Sequence, residues 1–512
     1  MLDVVVGLLT AVALPLAIVA IPNTISVVSA LLPPEIAGVG ILRAHGLALP
    51  VMLCTVPLAG AAMRRFQAAP ILVAGLALLA VADVAGGFAG STVGVGALRA
   101  LHGIGAGLLV PATFAASWER PGAARGVLMP IWAGALAVSL LAAQALALWP
   151  LDEVTSWRVT LQPYPLLTGV ALALAAVYFV LARLTGESAD TRATGAERGH
   201  LVLAAGPSVG IAVLAFGTTF NWPSGLIVAA AGLAVVMLLA MACAGRIEGA
   251  GGRVLAFVMV AVGLVILPTA AQVTYVELGG LGGPGLSGLW APFGLASVIA
   301  FAAALVAGRL SEALVPKLIG GGLVTMVVGL CAVRLFVPAA SGMPLLVPFA
   351  LLTAGAAVAV TSAVRGVGLR AALFGLSLCF PAVLSGFLLG TGIQVGRLRA
   401  VSSSGRVTSQ AMVDGFVGAL HIWALVAGFA VVVVLGVGAV LARRAPDEAP
   451  GPLLTTASSP REEAALAETM TGQAGGARSP EDPDTAMIPV VPPPARSPEG
   501  TTGEDGGGAA AR

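Results

Sequence analysis

Apolar residues in this chain fall in long unbroken blocks, and the polar residues gather in the gaps between them. Strict alternation, the mark of half-buried strands, is absent, so the blocks read as helices apolar on every side. They lie near residues 4–28, 40–62, 69–90, 93–116, 124–148, 164–184, 201–219, 223–244, 254–274, 286–307, 318–337, 344–364, 371–395 and 416–442. Each is long enough to carry a helix across about 30 Å of hydrocarbon. The gaps are short and rich in charge, glycine and proline: "MRRFQAAP", "SWERPGAARG", "AGRIEGAGGR", "GRLSEALVPK". This pattern predicts an all-α polytopic membrane protein with fourteen transmembrane helices.

Composition agrees. Of 512 residues, 58% are hydrophobic and 10% charged, with mean hydropathy +1.00; soluble domains carry about 25% charged residues. A net charge of +2 gives no reason to expect a nucleic-acid partner. The N-terminal block lacks the basic stretch of a cleaved signal peptide, so it is expected to remain as the first span. Cys54, Cys243, Cys331 and Cys379 lie within or beside apolar blocks with no pairing or metal-binding spacing, and read as small hydrophobes.

Charge in the gaps predicts topology. One set of alternate loops, with the end of the last span, holds fifteen basic residues, from Arg64 and Arg65 through Arg309 and Lys317 to Arg443 and Arg444. The other set holds five: Arg158, Arg334, Arg397, Arg399 and Arg406. The excess of basic residues in cytoplasmic loops puts both termini in the cytoplasm of a plasma-membrane protein. From residue 445 the composition changes: the tail holds eleven of the 24 acidic residues and many prolines, and is expected to be disordered. A Ser-Pro-acid pattern recurs there at Ser459, Ser479 and Ser497, and reads either as a phosphorylation or docking tail or as a solvated low-complexity end.

Three stretches carry a family resemblance. "LRALHGIGAGLLVPATFA" (98–115) resembles the fourth-helix signature of the major facilitator superfamily, an arginine followed by a polar residue and a glycine-rich face. "SWRVTLQPYPL" (156–166) resembles the step before its sixth helix, and "QAMVDGFVGALHIWALVAGF" (410–429) the start of its last. Over roughly residues 10–444 the chain resembles the fourteen-helix drug:proton antiporter branch. The resemblance implies a six-helix bundle over 1–184, two linker helices over 201–244, a second six-helix bundle over 254–442 and a tail over 445–512. It also implies export of small molecules by alternating access, with no cofactor and the chain acting as a monomer in the lipid bilayer. "PLAGAAMRRF" (57–66) and "VAGRLSEALVPK" (306–317) occupy matching places in the two halves, as a duplicated architecture leaves them.

The sequence departs from that pattern at its acids. Gly60 stands where the loop glycine is expected, but Arg64 occupies the aspartate position, and the acid survives only in the second half, as Glu312 near Arg309. Ala13 and Ile18 stand where the first helix would carry an aspartate and an asparagine, and Gln144 replaces the proline of the fifth. Proton coupling is therefore left open. So is a second class of function, an accessory or regulatory membrane protein on the same scaffold.

Polar residues inside the spans are candidates for chemistry, because a charge near the bilayer centre costs about 2.5–3.5 kcal/mol and usually faces a cavity or a partner. Arg99, His102 and Gly103 share one face of the fourth helix. Arg99 and His102 are expected at the cavity, while Gly103 and Gly107 would let a neighbouring helix approach closely. Gln272 and Tyr275, on the first helix of the second half, are expected to contact substrate; Thr361 and Ser362 could do so or simply bond to their own helix. Arg309 and Glu312 are expected to act in gating or packing. Arg43 and His45 read as an interfacial anchor or an outer gate. Asp83, the one carboxylate well inside a span, is a candidate proton-linked residue or the acid of a salt bridge. No nucleotide-binding loop, zinc-protease helix or nucleophile elbow appears, so the expected function is non-enzymatic.

Overall fold

The protein is described here by a computed structural model, which covers residues 1–22, 24, 28, 31–32, 39–63, 65–149, 156–162, 164–185, 199–218, 222–244, 249–278, 283–403 and 408–444. The tail from 445, with its expected disorder and its three Ser-Pro-acid repeats, lies outside these residues. So do Arg64, Arg192, Arg198, Arg246 and Arg406 of the charge count.

Among the described residues there are fourteen helical spans. They are α1 (Leu2–Val19), α2 (Val39–His45 continued by Ala48–Ala62), α3 (Ala68–Gly86), α4 (Thr92–Trp118), α5 (Gly122–Leu148), α6 (Pro165–Leu184) and α7 (Gly199–Thr218). The second seven are α8 (Ser224–Ala244), α9 (Gly249–Leu278), α10 (Gly285–Arg309), α11 (Val315–Phe336), α12 (Leu346–Val364), α13 (Leu369–Ser403) and α14 (Ser409–Arg444). Thirteen of the spans are long and apolar enough to cross a membrane; α7, with 20 helical residues, is the fourteenth. The chain is a multi-pass membrane protein.

Local chemistry sets the helix ends. Ser91 caps α4 by accepting from the Gly94 amide at 3.1 Å. Pro165 opens α6 and Pro316 sits in the first turn of α11, where a missing N–H costs nothing. Gly366, at φ 74°, follows the end of α12 in a backbone conformation that favours glycine. Two spans differ from the sequence expectation of 4–28 and 40–62. α1 stops at Val19, because Pro22 disfavours helix in the residue before it. α2 is broken at Gly46 and Leu47, so His45 ends a helical segment inside the span. In the other direction, α13 and α14 run to 35 and 36 residues. At 1.5 Å per residue each is over about 50 Å long, so their polar ends extend past the apolar core.

Burial sorts the helices. In α9 and α13, 94% of the most apolar window is buried inside the protein, against 22% for the span containing α6 and 33% for α8. The poorly buried helices carry apolar side chains on their outer faces, among them Leu166, Val170, Leu233 and Val236. Such an exterior suits hydrocarbon and would be an aggregation surface in water. α4 packs on α1, α2 and α3, and α9 on α12, α13 and α14. α5 crosses to α9, α10 and α12, and α2 reaches α13, while α7 lies against both α2 and α13. Close approach at these crossings relies on missing side chains: Gly134 of α5 receives the Phe301 ring of α10, and Gly322 and Gly355 face each other between α11 and α12.

A candidate substrate cavity

The fold explains why an arginine lies in an apolar helix. α1 ends at its cap Ala20, the first segment of α2 ends at His45, and both ends meet the side of α4. The Arg99 Nε donates to the His45 carbonyl at 2.8 Å and its Nη2 to the Ala20 carbonyl at 3.1 Å. Helix C-termini leave carbonyls without helical partners and carry a partial negative charge. Arg99 satisfies two such ends while only 4% exposed. The breaks in α1 and α2 and the arginine on α4 are therefore one feature. Close by, His45 Nε2 lies 2.9 Å from the Thr24 hydroxyl.

Arg99 also lines a cavity of about 470 Å³. The end of α1, the start of α2, α4, and the ends of α5, α7, α9 and α13 form its walls, so it lies towards the end of the molecule opposite Met1 and Arg444. Arg43, His45, Gln144, Tyr275, Thr391 and Arg399 supply the other polar groups. Trp222, Phe387 and Leu388 are among the apolar ones. Gln144 donates to the Tyr275 hydroxyl at 3.3 Å, a bond from α5 to α9 across the cavity wall.

The structure separates some residues that the sequence groups together. His102 is not part of the cavity lining. It lies three residues beyond Arg99, about 60° away around a helix of 3.6 residues per turn, and that rotation turns it to α3. There its Nε2 lies 3.1 Å from Asp83 Oδ1 and its Nδ1 2.9 Å from the Leu98 carbonyl. The Thr168 hydroxyl of α6 lies 2.7 Å from Asp83 Oδ2, so a buried chain of polar groups joins α3, α4 and α6. Asp83 is the hydrogen-bonding partner of His102 in this cluster, away from the cavity lining. Gly103 and Gly107 face α2, where side chains would collide with the Ala48 carbonyl and with Thr55.

In the second half, Tyr275 lines the cavity, but Gln272 lies outside the lining, against Gly390 of α13. Arg309 and Glu312 are both exposed and form no ion pair with each other. The α10–α11 turn is held instead by Arg365, whose Nη1 donates to the Leu310 carbonyl at 2.7 Å and the Ala307 carbonyl at 3.1 Å. The hydroxyls of Thr361 and Ser362 have no hydrogen-bond partner among the described residues, and Ser362 lines a second, apolar cavity between α9, α11, α12 and α14.

The cavity's α13 wall had no counterpart in the sequence reading. Its signal was a stripe: Leu384, Leu388, Thr391, Val395 and Arg399 recur at spacings of three and four, which puts them on one helix face. Trp222, between α7 and α8, had no such signal.

No protein-family model and no curated protein matches the sequence. Solved structures do. The chain is similar to the crystal structure of the peptide transporter POT at 14% identity and TM-score 0.51, over 86% of this chain and 94% of that one. It is also similar to the major facilitator proton:xylose symporter XylE bound to 6-bromo-6-deoxy-D-glucose, at 14% identity and TM-score 0.49, over 87% and 95% of the two chains. At such identity the likeness concerns the fold. The chain has the major facilitator fold, as the sequence resemblance implied.

Proposed function

We propose that this protein is a secondary transporter that exports amphipathic small molecules across the plasma membrane. The observation that carries this reading is the cavity: about 470 Å³, within the ~300–1,000 Å³ usual for small-molecule sites, deep among helices, apolar with a few convergent polar groups. Helices from both ends of the sequence build it, so relative movement of residues 1–184 and 254–442 opens and closes it. α5 against α10 and α2 against α13 form the contacts about which such movement pivots. Of the two helices over 201–244, α7 packs on both α2 and α13 and α8 packs on α13, beside the α2–α13 contact.

In this reading both termini lie in the cytoplasm, supported by the fifteen-to-five bias of basic residues. The cavity then lies in the outer half of the membrane. Export, rather than uptake, rests on the resemblance to the drug:proton antiporter branch. The test is accumulation of a panel of lipophilic fluorescent compounds in a deletion strain and in an overexpressing strain. Lower accumulation of a subset of the panel on overexpression, reversed by deletion, is the expected result. Equal accumulation of every compound in both strains counts against export.

A further inference from the structure

We infer that the cavity takes amphipathic organic anions, an inference that rests on the transport reading for its biological sense but not for its chemistry. The charged residues among the described lining are Arg43, Arg99 and Arg399, and no aspartate or glutamate is among them. The buried acid nearest in sequence to the α9 wall, Glu277, accepts from the Ala339 amide at 3.0 Å and is not part of the lining. Asp83 is engaged by His102 and Thr168, also outside the lining.

Two of the basic groups have donors to spare. The Arg99 Nε and Nη2 hold the ends of α1 and α2, and its Nη1 has no hydrogen-bond partner among the described residues. His45 is 1% exposed, and its Nδ1 is buried without a partner among the described residues. If the Thr24 hydroxyl donates to Nε2, Nδ1 carries the ring proton and becomes a donor while the ring stays neutral. A hydrogen bond left unmade at a buried site carries the full desolvation cost of the group, so a ligand acceptor is favoured at that position. Arg399, exposed on α13, adds a full positive charge to the same cavity.

A carboxylate, sulfonate or phosphate supplies what these groups lack: negative charge and several acceptor atoms, which guanidinium groups bind in charge-assisted hydrogen bonds. Trp222, Phe387 and Leu388 then cover the apolar body of the molecule. A cationic amphiphile of the same size meets Arg99 and Arg399 and no acidic side chain among the described lining. The cavity therefore discriminates by charge where the apolar wall alone discriminates weakly.

The test uses three probes with one apolar body and different charge: 1-pyrenebutyrate, its primary amide and 1-pyrenebutylamine. Binding to the purified full chain in nanodiscs is followed by transfer from tryptophan emission to pyrene. We expect saturable binding of the carboxylate at least tenfold tighter than the amide, and no saturable binding of the amine. In the exposed-site variant Arg399→Gln the carboxylate should weaken at least threefold while the amide is unchanged. Equal binding of carboxylate and amide, tighter binding of the amine, or no saturable binding of any probe overturns the inference. Flux into proteoliposomes separates it from the transport reading. Selective carboxylate binding without flux supports the anion site and overturns transport. Flux of the amide or amine without flux of the carboxylate overturns the anion site and leaves transport standing.

Discussion

Replacing Asp83 tests whether this buried acid serves as a charge or as a hydrogen-bonding group. The chain it belongs to runs from the Leu98 carbonyl through His102 and Asp83 to Thr168, whose hydroxyl also lies 3.1 Å from the Tyr164 carbonyl. A carbonyl can only accept, so the proton on His102 is fixed at Nδ1, and Nε2 must share a proton with Asp83 or face it without one. The amide introduced by Asp83→Asn fits a neutral imidazole: its N–H donates to Nε2 and its oxygen accepts from Thr168. All the bonds are kept, so the cost should stay below about 1 kcal/mol. Asp83→Leu removes the acceptor and donor alike. Thr168 can turn to Tyr164, but Nε2 is left unpartnered, at about 1–3 kcal/mol for a neutral ring and about 3–5 kcal/mol for a charged one. Thermal unfolding midpoints of the purified variants in one detergent should therefore rank wild type and Asp83→Asn together, with Asp83→Leu clearly lower. If the asparagine variant is as unstable as the leucine variant, the charge on Asp83 is essential and the hydrogen-bond argument fails. If the leucine variant is as stable as wild type, the cluster does not hold α3, α4 and α6 together.

Arg99→Ala should lower the unfolding midpoint as well as any transport, because two helix ends lose a charge-assisted donor at about 1.5–3 kcal/mol each; Arg99→Lys should recover part of the loss, and a stable alanine variant would show that other groups satisfy those carbonyls. Gly107→Val drives a branched side chain into Thr55, so overpacking of about 1–3 kcal/mol is expected, read as reduced yield of folded protein relative to Gly126→Ala, where the added Cβ meets nothing within 4 Å. Glu119, beyond the end of α4, has its carboxyl pushed above the ordinary carboxylate range chiefly by burial, against the opposing pull of the Ala68 amide and Arg120. A carboxyl with a raised folded-state pKa contributes stability that is present at acid pH and lost as pH rises through that folded value. Glu119→Gln should therefore raise the midpoint at neutral pH and flatten its dependence on pH in the acid range; an unchanged pH profile would contradict this.

Most of the fold was legible in the sequence, since in lipid the backbone must satisfy its own hydrogen bonds and an apolar block of sufficient length has few structures open to it. The failures lie where tertiary contacts override composition. The breaks in α1 and α2 were hidden inside apolar runs, and their carbonyls are tolerable only because Arg99 reaches them. Arg99 itself was legible as a buried cation that required a partner, but the partners are backbone atoms with no identity in the sequence. His102 was misplaced because sharing a helical face with Arg99 within 60° is too coarse to decide between α2 and α3. Arg309 and Glu312 were expected to act in gating or packing, yet the turn between α10 and α11 is fixed by Arg365, 53 residues further along the chain from Glu312.

Transport by alternating access requires the cavity to open in turn to the two sides of the membrane. A single cysteine in its wall, Thr391→Cys, with the four native cysteines replaced, reports this without knowledge of the substrate. The measurement is labelling by a membrane-impermeant thiol reagent in right-side-out and in inverted vesicles. Labelling from each side in its own preparation is the predicted result. Labelling from one side only, under every condition and with every compound tried, would contradict alternating access and favour a non-transporting protein on this scaffold.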